Sequence, residues 1–401
     1  MNTNKPILLL LFVLFFTSIT ITGCSKGSQN YNSGIKAYKN GDYETAADEF
    51  SKAISQNPDM GDYYLAYGNV LLILENYGEA INIYNQVITD KDSKIVRENN
   101  KKAYYGKGIA YYNTNEFEKA ISQFDLALSI DELDNMNLDI LLYKADTQIA
   151  SMLYEEAKAT LTLAIDIDSN NPDIYYKRAR ALQELKEYEL ARKDLDQAIS
   201  IKPDYYDYYF AKFHLLKEEG QDERAKDVLD RITSIKINNT DDLYNNARAN
   251  FYLENYDYAM EAFLKSLEEG ILEANYYLAK ILEVKEDYEG AVAYYEAFFA
   301  IPFEDYEITD YNIATAYNQM GYCLLELGYY ERALESFNKG LEIGVSSLNQ
   351  SLLANKIVAL ESLSDYSKAY EVLNEYIGLY PEDEEAIREL EFIKTRLPEA
   401  S

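Results

Sequence analysis

The sequence predicts an all-α solenoid, a stack of about ten helical pairs closed by a C-terminal capping helix. Three observations lead to this fold class. Ten alanines recur at intervals of 32 to 42 residues, an aromatic side chain lies three residues before nine of them, and a large apolar side chain lies four residues after each. Such a period indicates stacked helical pairs, because one pair cannot bury its apolar face by itself. The alanines are Ala46, Ala80, Ala120, Ala157, Ala191, Ala225, Ala259, Ala291, Ala333 and Ala369.

The first element is a targeting segment that precedes the predicted stack. Lys5 comes before a ten-residue apolar run, which is followed by Ile-Thr-Gly-Cys ending at Cys24. This pattern resembles a bacterial lipoprotein signal peptide, in which cleavage after Gly23 leaves Cys24 to receive the lipid. The apolar run is shorter than the ~20 residues of a membrane-spanning helix. We therefore expect residues 1–23 to be removed, and residues 24–30 to form a lipidated cysteine and a short tether.

Each repeat consists of two helices, which we call helix A and helix B. In the first repeat Tyr43, Ala46 and Phe50 stand at i, i+3 and i+7, so they face one side of helix B. Twelve residues before the alanine lies Gly34, and most repeats carry Gly or Ala at this place, the small position of helix A. We expect the two small residues to face each other where the helices cross, with axes ~8–10 Å apart. The polar turn at residues 40–42 stops helix A and caps helix B.

These positions resemble those of the tetratricopeptide repeat family. The first unit carries that family's small, aromatic, Ala, aromatic, Ala and Pro positions in register, at Gly34, Tyr43, Ala46, Phe50, Ala53 and Pro58. The resemblance covers residues 31–381. It implies a right-handed superhelical solenoid of helix-turn-helix repeats whose A helices line a concave groove, and it implies a scaffold or adaptor function.

Irregular units and insertions follow from departures in the pattern. The sixth repeat has Phe213 at the small position and Asp222 in place of the aromatic, so we expect it to be the least stable repeat. Ile357 occupies the small position of the tenth. Extra residues are predicted to form loops at 90–100, 131–137, 302–310 and 345–349. Residues 382–397 are predicted to form the capping helix, with Ile387, Leu390 and Ile393 on its buried stripe.

Charge and cysteine content limit the partners and the chemistry. The net charge is −31, and removal of residues 1–23 leaves 37 basic and 69 acidic residues. Such a chain is not expected to bind nucleic acid, and an anionic membrane should repel it beyond the anchor. Only Cys24 and Cys323 are present. Lipidation of Cys24 would exclude an intramolecular disulfide, and Cys323 in its apolar stretch is predicted to be a small buried hydrophobe.

The residues required for catalysis or cofactor binding are missing. A single histidine cannot supply a His cluster for a metal, and the sequence has no glycine-rich phosphate loop. Residues 131–139 have oxygen ligands at calcium-like density, but they lack the glycine that such a loop needs, which favours a solvated linker. We predict no enzyme, no metal and no cofactor.

The candidate site is the groove that the resemblance implies. Its stripe comprises the residues three before, one after and four after the small position of each helix A, which we call groove positions. In repeats five to eight the middle groove position holds Arg180, His214, Arg248 and Lys280. We predict that an acidic partner binds these cations between apolar walls. The predicted partner-binding residues are Tyr176, Arg180, Phe210, His214, Tyr244, Arg248, Phe251, Tyr276 and Lys280. His214 should gain charge near pH ~6.5, which would strengthen binding. Alternatively, the cations pair with acids of neighbouring helices and only solvate the stack.

Together these features predict a lipid-anchored, extracytoplasmic scaffold that binds a protein or an extended peptide. Two alternatives stay open: a glycan-binding lipoprotein that stacks sugars on a tyrosine-lined groove, and a purely structural spacer without a preferred ligand. The absence of tryptophan argues against the first.

Overall fold

The computed structural model describes residues 26–303 and 308–397, and these residues contain 21 α-helices and no strand. The predicted signal peptide and Cys24 lie outside them. Within the described ranges, none of the helices is both long and apolar enough to cross a membrane. The helices follow one another as ten A–B pairs and one final helix, which confirms the predicted all-α fold class. They form two compact units, residues 26–225 and residues 226–397, and each unit is described by itself.

The first unit contains five and a half repeats. Its helices are α1 (Ser28–Lys39), α2 (Tyr43–Gln56), α3 (Gly61–Ile73), α4 (Tyr77–Val87), α5 (Lys94–Asn113), α6 (Phe117–Leu128), α7 (Asn137–Ala150), α8 (Tyr154–Ile167), α9 (Pro172–Glu184), α10 (Tyr188–Ile201) and α11 (Tyr206–Glu218). Helix α12 (Asp222–Thr233) contains the division between the units. Because α1 begins at Ser28, the last three residues of the predicted tether belong to the first repeat.

The second unit contains the remaining repeats and the final helix. Its helices are α13 (Thr240–Tyr252), α14 (Tyr256–Glu268), α15 (Ala274–Val284), α16 (Tyr288–Phe299), α17 (Asp310–Glu326), α18 (Tyr330–Glu342), α19 (Asn349–Ser362), α20 (Tyr366–Leu379) and α21 (Glu384–Lys394). Odd-numbered helices up to α19 are A helices and even-numbered ones are B helices. In nine repeats helix B begins at the predicted aromatic residue, and all ten alanines are fully buried.

A left-handed residue ends helix A in every repeat, five residues before the alanine. It is glycine in only three turns; the ten residues are Gly41, Glu75, Asn115, Met152, Lys186, Gly220, Glu254, Glu286, Gly328 and Ser364. The next backbone N–H reaches back to the helix, as Asp42 N does to the Ala37 carbonyl at 3.0 Å. In the first turn Asp42 also accepts a hydrogen bond from Thr45 N, so this turn caps both helices as expected.

The glycine at the small position packs against an aromatic ring of helix B. A Cβ added to Gly108 would lie 2.4 Å from the Phe124 ring, and the same relation holds for Gly34 with Phe50, Gly68 with Tyr84 and Gly321 with Phe337. The expectation that the glycine meets the alanine is therefore corrected: its nearest neighbour is the large residue four positions later. In the fourth repeat the corresponding buried residues are Ala145 and Leu161, so a larger residue on helix A accompanies a smaller one on helix B.

Two predicted loops are more ordered than expected. Helix α5 starts at Lys94 and so occupies most of the first insertion. The segment before α7 folds onto the fully buried Lys101, whose Nζ donates to the Ile130 carbonyl at 2.8 Å and to Asn137 Oδ1 at 2.7 Å. Burial lowers the pKa of Lys101. The acidic stretch 131–139 is therefore part of the packed junction between repeats rather than a solvated linker.

The final helix packs on the tenth repeat, but one residue of its predicted buried stripe is exposed. Ala386 and Ile393 are buried and Leu390 is partly buried against the core of the tenth repeat, whereas Ile387 is 43% exposed. The prediction that Ile387 lies on the buried stripe is wrong, since Ala386 takes that place. Cys323 is fully buried on α17, and burial raises the pKa of its thiol to about 12, as expected for a structural cysteine.

Candidate functional site

The second unit brings two of the predicted groove cations into one aromatic cluster. Arg248 on α13 donates from Nε to the Tyr277 hydroxyl at 3.3 Å and from a terminal nitrogen to Asn245 Oδ1 at 2.8 Å. Its guanidinium also lies 5.8 Å from the centroid of the Tyr244 ring. Rings and an amide oxygen thus hold the Arg248 side chain in place.

Lys280 occupies the same groove position on the next A helix, α15. Its Nζ lies 5.4 Å from the centroid of the Phe251 ring on α13 and 5.3 Å from that of Tyr276. Within the part of the chain that the structure describes, no carboxylate forms an ion pair with Lys280. A cation over ring faces is attracted by the π-system but keeps its full charge. We call Tyr244, Arg248, Phe251, Tyr276, Tyr277 and Lys280 the cation–aromatic cluster.

Two carboxylates interact with the cations of the cluster. Burial raises the pKa of Glu273, and Arg248 acts in the opposite direction. Burial also raises the pKa of Glu283, whereas the charge of Lys280 and the hydrogen bonds from Tyr295 at 3.0 Å and Gln319 at 2.6 Å act in the opposite direction. The hydrogen bonds of Glu283 connect α15 with α16 and α17.

In the first unit Arg180 is exposed on α9 at its groove position. No acid of the described residues pairs with it, although one turn away Lys177 pairs with Asp146 at 2.5 Å. Its charge acts electrostatically on the hydroxyls of Tyr112 and Tyr154. Tyr176 packs on Tyr208, with ring centroids 5.4 Å apart, and His214 is exposed on α11 beside Phe213.

A second set of cations was missed in the sequence, one residue before the small position. Lys144 pairs with Asp125 at 2.6 Å, Arg178 makes two hydrogen bonds to Asp194, and Lys212 pairs with Asp196 at 2.6 Å. All three bind acids of B helices. These cations, rather than Arg180 and Lys280, perform the structural ion pairing proposed as the alternative. The signal in the sequence is an acid on helix B. It lies five residues after the alanine of the preceding repeat for Lys144 and Lys212, and three residues after the alanine of the same repeat for Arg178.

Two of the predicted walls are core residues. Phe210 is 3% exposed and Phe251 is 8% exposed. Phe251 packs edge-on against Tyr252, Tyr256 and Tyr277. The Nζ of Lys280 lies over the face of this buried ring. The prediction that these two side chains line an open surface is corrected, because both are buried.

Other candidate sites are weaker. A concavity of about 340 Å³ between α16, α17 and α18 has an apolar floor that includes Phe299 and Tyr317. Its two cations are paired, Arg332 with Glu296 at 2.7 Å and Lys339 with Glu335 at 2.8 Å. In the described residues no group of three or more His, Cys, Asp or Glu side chains could hold a metal ion. Of the surfaces described, the A-helix face of each unit therefore has the chemistry best suited to a charged ligand.

Comparison with known proteins identifies the repeat. Family models described as "Tetratricopeptide repeat" match residues 31–94, 101–132, 172–205, 244–305 and 314–343. A TPR repeat-containing protein of Methanocaldococcus jannaschii is 27% identical over 185 residues, which cover 37% of this chain and 32% of that protein. The chain thus spans about a third of the length of this relative.

Solved structures with similar folds include a tetratricopeptide repeat protein from Parabacteroides merdae, at 18% identity, covering 65% of this chain and 99% of that one, with a TM-score of 0.49. Another is in the APC/C hetero-tetramer Cut9–Hcn1, at 14% identity, covering 97% of this chain and 94% of that one, with a TM-score of 0.45. The family matches cover more than half of the sequence and coincide with the A–B pairs. This chain therefore belongs to the tetratricopeptide repeat family.

Proposed function

We propose that the chain is a lipid-anchored, extracytoplasmic scaffold that binds an acidic, extended protein segment on the A-helix face. The observation that carries the proposal is the contrast between its two sets of cations. Three cations one residue before the small position are paired with acids, whereas Arg180 and Lys280 form no ion pair with the described residues. In a chain with 38 basic and 69 acidic residues, positions where a cation forms no ion pair favour a ligand that supplies a carboxylate.

The groove chemistry favours carboxylates over other ligands. Arg offers planar donors for a carboxylate, and Lys offers a point charge. The rings of Phe251 and Tyr276 beside Lys280 exclude water and so strengthen a charge-assisted hydrogen bond there. Within the first unit, a segment bound at Arg180 would also meet the exposed His214 of the next A helix, and mild acidification would strengthen that binding through its added charge.

The groove test uses a library of random dodecapeptides displayed on phage and selected on the mature chain. Binding of the selected peptides is then measured for Arg180→Glu with Lys280→Glu. The control is Lys193→Glu with Lys265→Glu, two exposed lysines on B helices whose change in charge is the same. We expect about tenfold or greater weakening in the groove variant and little change in the control. Equal binding by both variants, or the failure of the wild type to select any peptide, would contradict the proposal and favour a spacer.

Anchoring is tested separately because Cys24 lies outside the described residues. The motif that ends at Cys24 and the short apolar run before it support lipidation. Cells expressing Cys24→Ala should accumulate an unprocessed precursor that takes up no labelled palmitate, while Cys323→Ala should be processed and labelled like the wild type. Labelling of the Cys24 variant would refute the anchor and leave the groove test unaffected.

A further inference from the structure

The concavity between α16, α17 and α18 corresponds to a space that a cation of this chain fills in earlier repeats. In repeats four and six, the residue before the small position of helix A pairs with an acid on the preceding helix B. These pairs are Lys144 with Asp125 and Lys212 with Asp196, both at 2.6 Å. Each acid lies five residues after the alanine of its repeat. We call this space, between helix B of one repeat and both helices of the next, the inter-repeat site.

The fifth repeat shows the third side of the inter-repeat site. Arg178 donates to Thr162 Oγ1 at 3.1 Å, and Thr162 lies five residues after the preceding alanine. Arg178 also donates two hydrogen bonds, of 2.7 and 2.8 Å, to Asp194, which lies three residues after the alanine of its own repeat. Three sequence positions therefore define the site, one on helix A and one on each of the two B helices.

The ninth repeat has the acid of the inter-repeat site but not the cation. Its three positions are Met320, Glu296 and Ser336, and all three line the concavity. Met320 is 8% exposed, and its side chain is shorter than that of lysine and carries no charge. A space of about 340 Å³ remains open beside it. Helix A thus supplies no cation to Glu296 in this repeat.

Glu296 keeps one carboxylate oxygen for a ligand. Its Oε1 accepts a hydrogen bond from Arg332 on α18 at 2.7 Å, and among the described residues its Oε2 has no donor. The side chains of Arg332 and Glu296 are 50% and 56% exposed, and exposed ion pairs are weak. A second cation can therefore bind Glu296 without breaking a strong contact.

The charges that line the concavity favour a cation over an anion. Arg332 pairs with Glu296, and Lys339 pairs with Glu335 at 2.8 Å, so the two cations and the two acids of the lining balance. The net charge of −31 then sets the long-range field, which attracts cations. An anion would instead have to compete with both carboxylates for Arg332 and Lys339.

The apolar part of the concavity suits the stem of a long basic side chain. Phe299 and Tyr317 stack with their ring centroids 3.8 Å apart and 11° between the ring planes. Met320 and Leu324 lie beside them and are buried. Lysine and arginine pack their methylene groups on apolar surface while the charged end stays in polar surroundings.

We infer that this concavity binds a lysine or arginine side chain of a partner protein, with the stem on Phe299, Tyr317 and Met320 and the cation at Glu296. The partner supplies the cation that helix A supplies in repeats four to six. None of these residues holds a groove position, and the ligand has the opposite charge to the one proposed for the A-helix face. The inference is therefore independent of the proposed function.

The test observes the Met320 methyl group by NMR of the mature chain with isotope-labelled methionine. The probes are the N-acetyl methylamides of lysine, arginine, norleucine and glutamate, each titrated to millimolar concentrations. Norleucine has the stem of lysine without its charge. We expect saturable shifts of the Met320 signal with the lysine and arginine probes, about tenfold weaker binding of the norleucine probe, and no binding of the glutamate probe.

Two variants separate the acid from the space. Glu296→Gln should weaken binding of the lysine probe about tenfold. Glu261→Gln on α14 is the control, because Glu261 is an exposed acid that pairs with Lys265 outside the concavity. Met320→Lys places a cation on helix A and should abolish binding, which saturation-transfer NMR detects on the probe. Its unfolding temperature should not fall, because the introduced ammonium can pair with Glu296.

The other outcomes would overturn the inference. Tighter binding of the glutamate probe would assign the concavity to an anion held by Arg332 and Lys339. Equal binding of the norleucine and lysine probes would make it an apolar pocket, and an unchanged Met320 signal with every probe would exclude a ligand of this class. Equal weakening by Glu296→Gln and Glu261→Gln would assign the effect to net charge alone. None of these results affects the peptide selection that tests the A-helix face.

Discussion

At the scale of single residues, volume complementarity explains how helix A meets helix B. Gly108 has no room for a Cβ because the Phe124 ring would lie 2.4 Å away. The fourth repeat places buried Ala145 and Leu161 at the same two positions. In four repeats a glycine thus compensates for a ring, and in the fourth and fifth an alanine accompanies a leucine. The seventh and eighth instead combine an alanine with a ring, Ala247 with Phe263 and Ala279 with Tyr295.

This compensation predicts non-additive substitutions. Gly108→Ala should lower the free energy of unfolding by ~1–3 kcal/mol through overpacking. Combined with Phe124→Leu, the loss should be smaller than the sum of the single losses by ~0.5–3 kcal/mol. Urea unfolding measures all three variants. Gly78→Ala is the control, because a Cβ there meets nothing within 4 Å. Strict additivity would show that the ring is not the limiting contact.

At the scale of elements, the turns between helices A and B contain strained residues, and replacing these residues can stabilise the fold. Seven of the ten left-handed positions hold residues with a Cβ, which that conformation disfavours. Glycine removes this strain, but it also increases the entropy of the unfolded chain. At an exposed position whose side chain makes no packing contacts, the backbone strain decides whether a change to glycine raises or lowers the free energy of unfolding.

Met152→Gly should therefore stabilise the fourth repeat by about 1 kcal/mol, since Met152 has φ 61° and is 74% exposed. The reverse change, Gly41→Ala, should destabilise the first repeat by a similar amount, because a Cβ there touches nothing and only the backbone is strained. Thermal unfolding of both variants checks the pair. If Met152→Gly lowers the unfolding temperature, its side chain contributes packing that outweighs the strain.

The capping helix carries a pH-dependent contact with the last repeat. Glu361 on α19 has a buried carboxylate oxygen without a hydrogen-bond partner, and burial together with Glu389 on α21 raises the pKa of Glu361 to about 7. The folded protein thus holds this proton more tightly than the unfolded chain, whose pKa is near 4.5. Stability should fall as pH rises through this window, and the destabilisation should be absent below it.

Glu361→Gln should make the hydrogen exchange of backbone amides in α19–α21 less dependent on pH between 4.5 and about 7. The rates are compared after correction for intrinsic exchange rates. The substitution removes the repulsion from Glu389 and keeps the shape of the side chain. Glu375→Gln on α20, which is exposed, is the control and should leave the dependence unchanged. An equal pH dependence in the Glu361 variant and the wild type would rule out this carboxylate pair as its cause.

At the scale of the whole molecule, the division between the compact units falls inside the sixth repeat, at Ala225 and Lys226. This repeat departs most from the family pattern, since Phe213 replaces the small residue and Asp222 replaces the aromatic. Phe213 is nonetheless buried and α12 is a complete helix. Repeat proteins lose stability locally, because each repeat contacts only its neighbours.

Hydrogen exchange should therefore be faster for residues 207–235 than for the fifth and seventh repeats. Replacing Asp222 with Tyr restores the family residue and should slow exchange there without affecting α1–α4. Mass spectrometry of the mature chain measures both effects. Uniform protection across the three repeats would show that Phe213 fills the crossing as well as a small residue does.

The sequence by itself determined the helical period, the ten pairs, the polar turns and the buried place of Cys323. These features follow from local spacing, which recurs along the chain and needs no knowledge of neighbours. Only the tertiary structure decided that Gly108 faces Phe124, that α5 begins at Lys94 and that Phe251 lies beneath Lys280. It also showed that Lys144, Arg178 and Lys212 pair with acids while Lys280 rests on rings. The physical reason is that a cation's partner is set by the side chain that an adjacent helix brings within ~4 Å, and the spacing of residues along one helix does not specify that side chain.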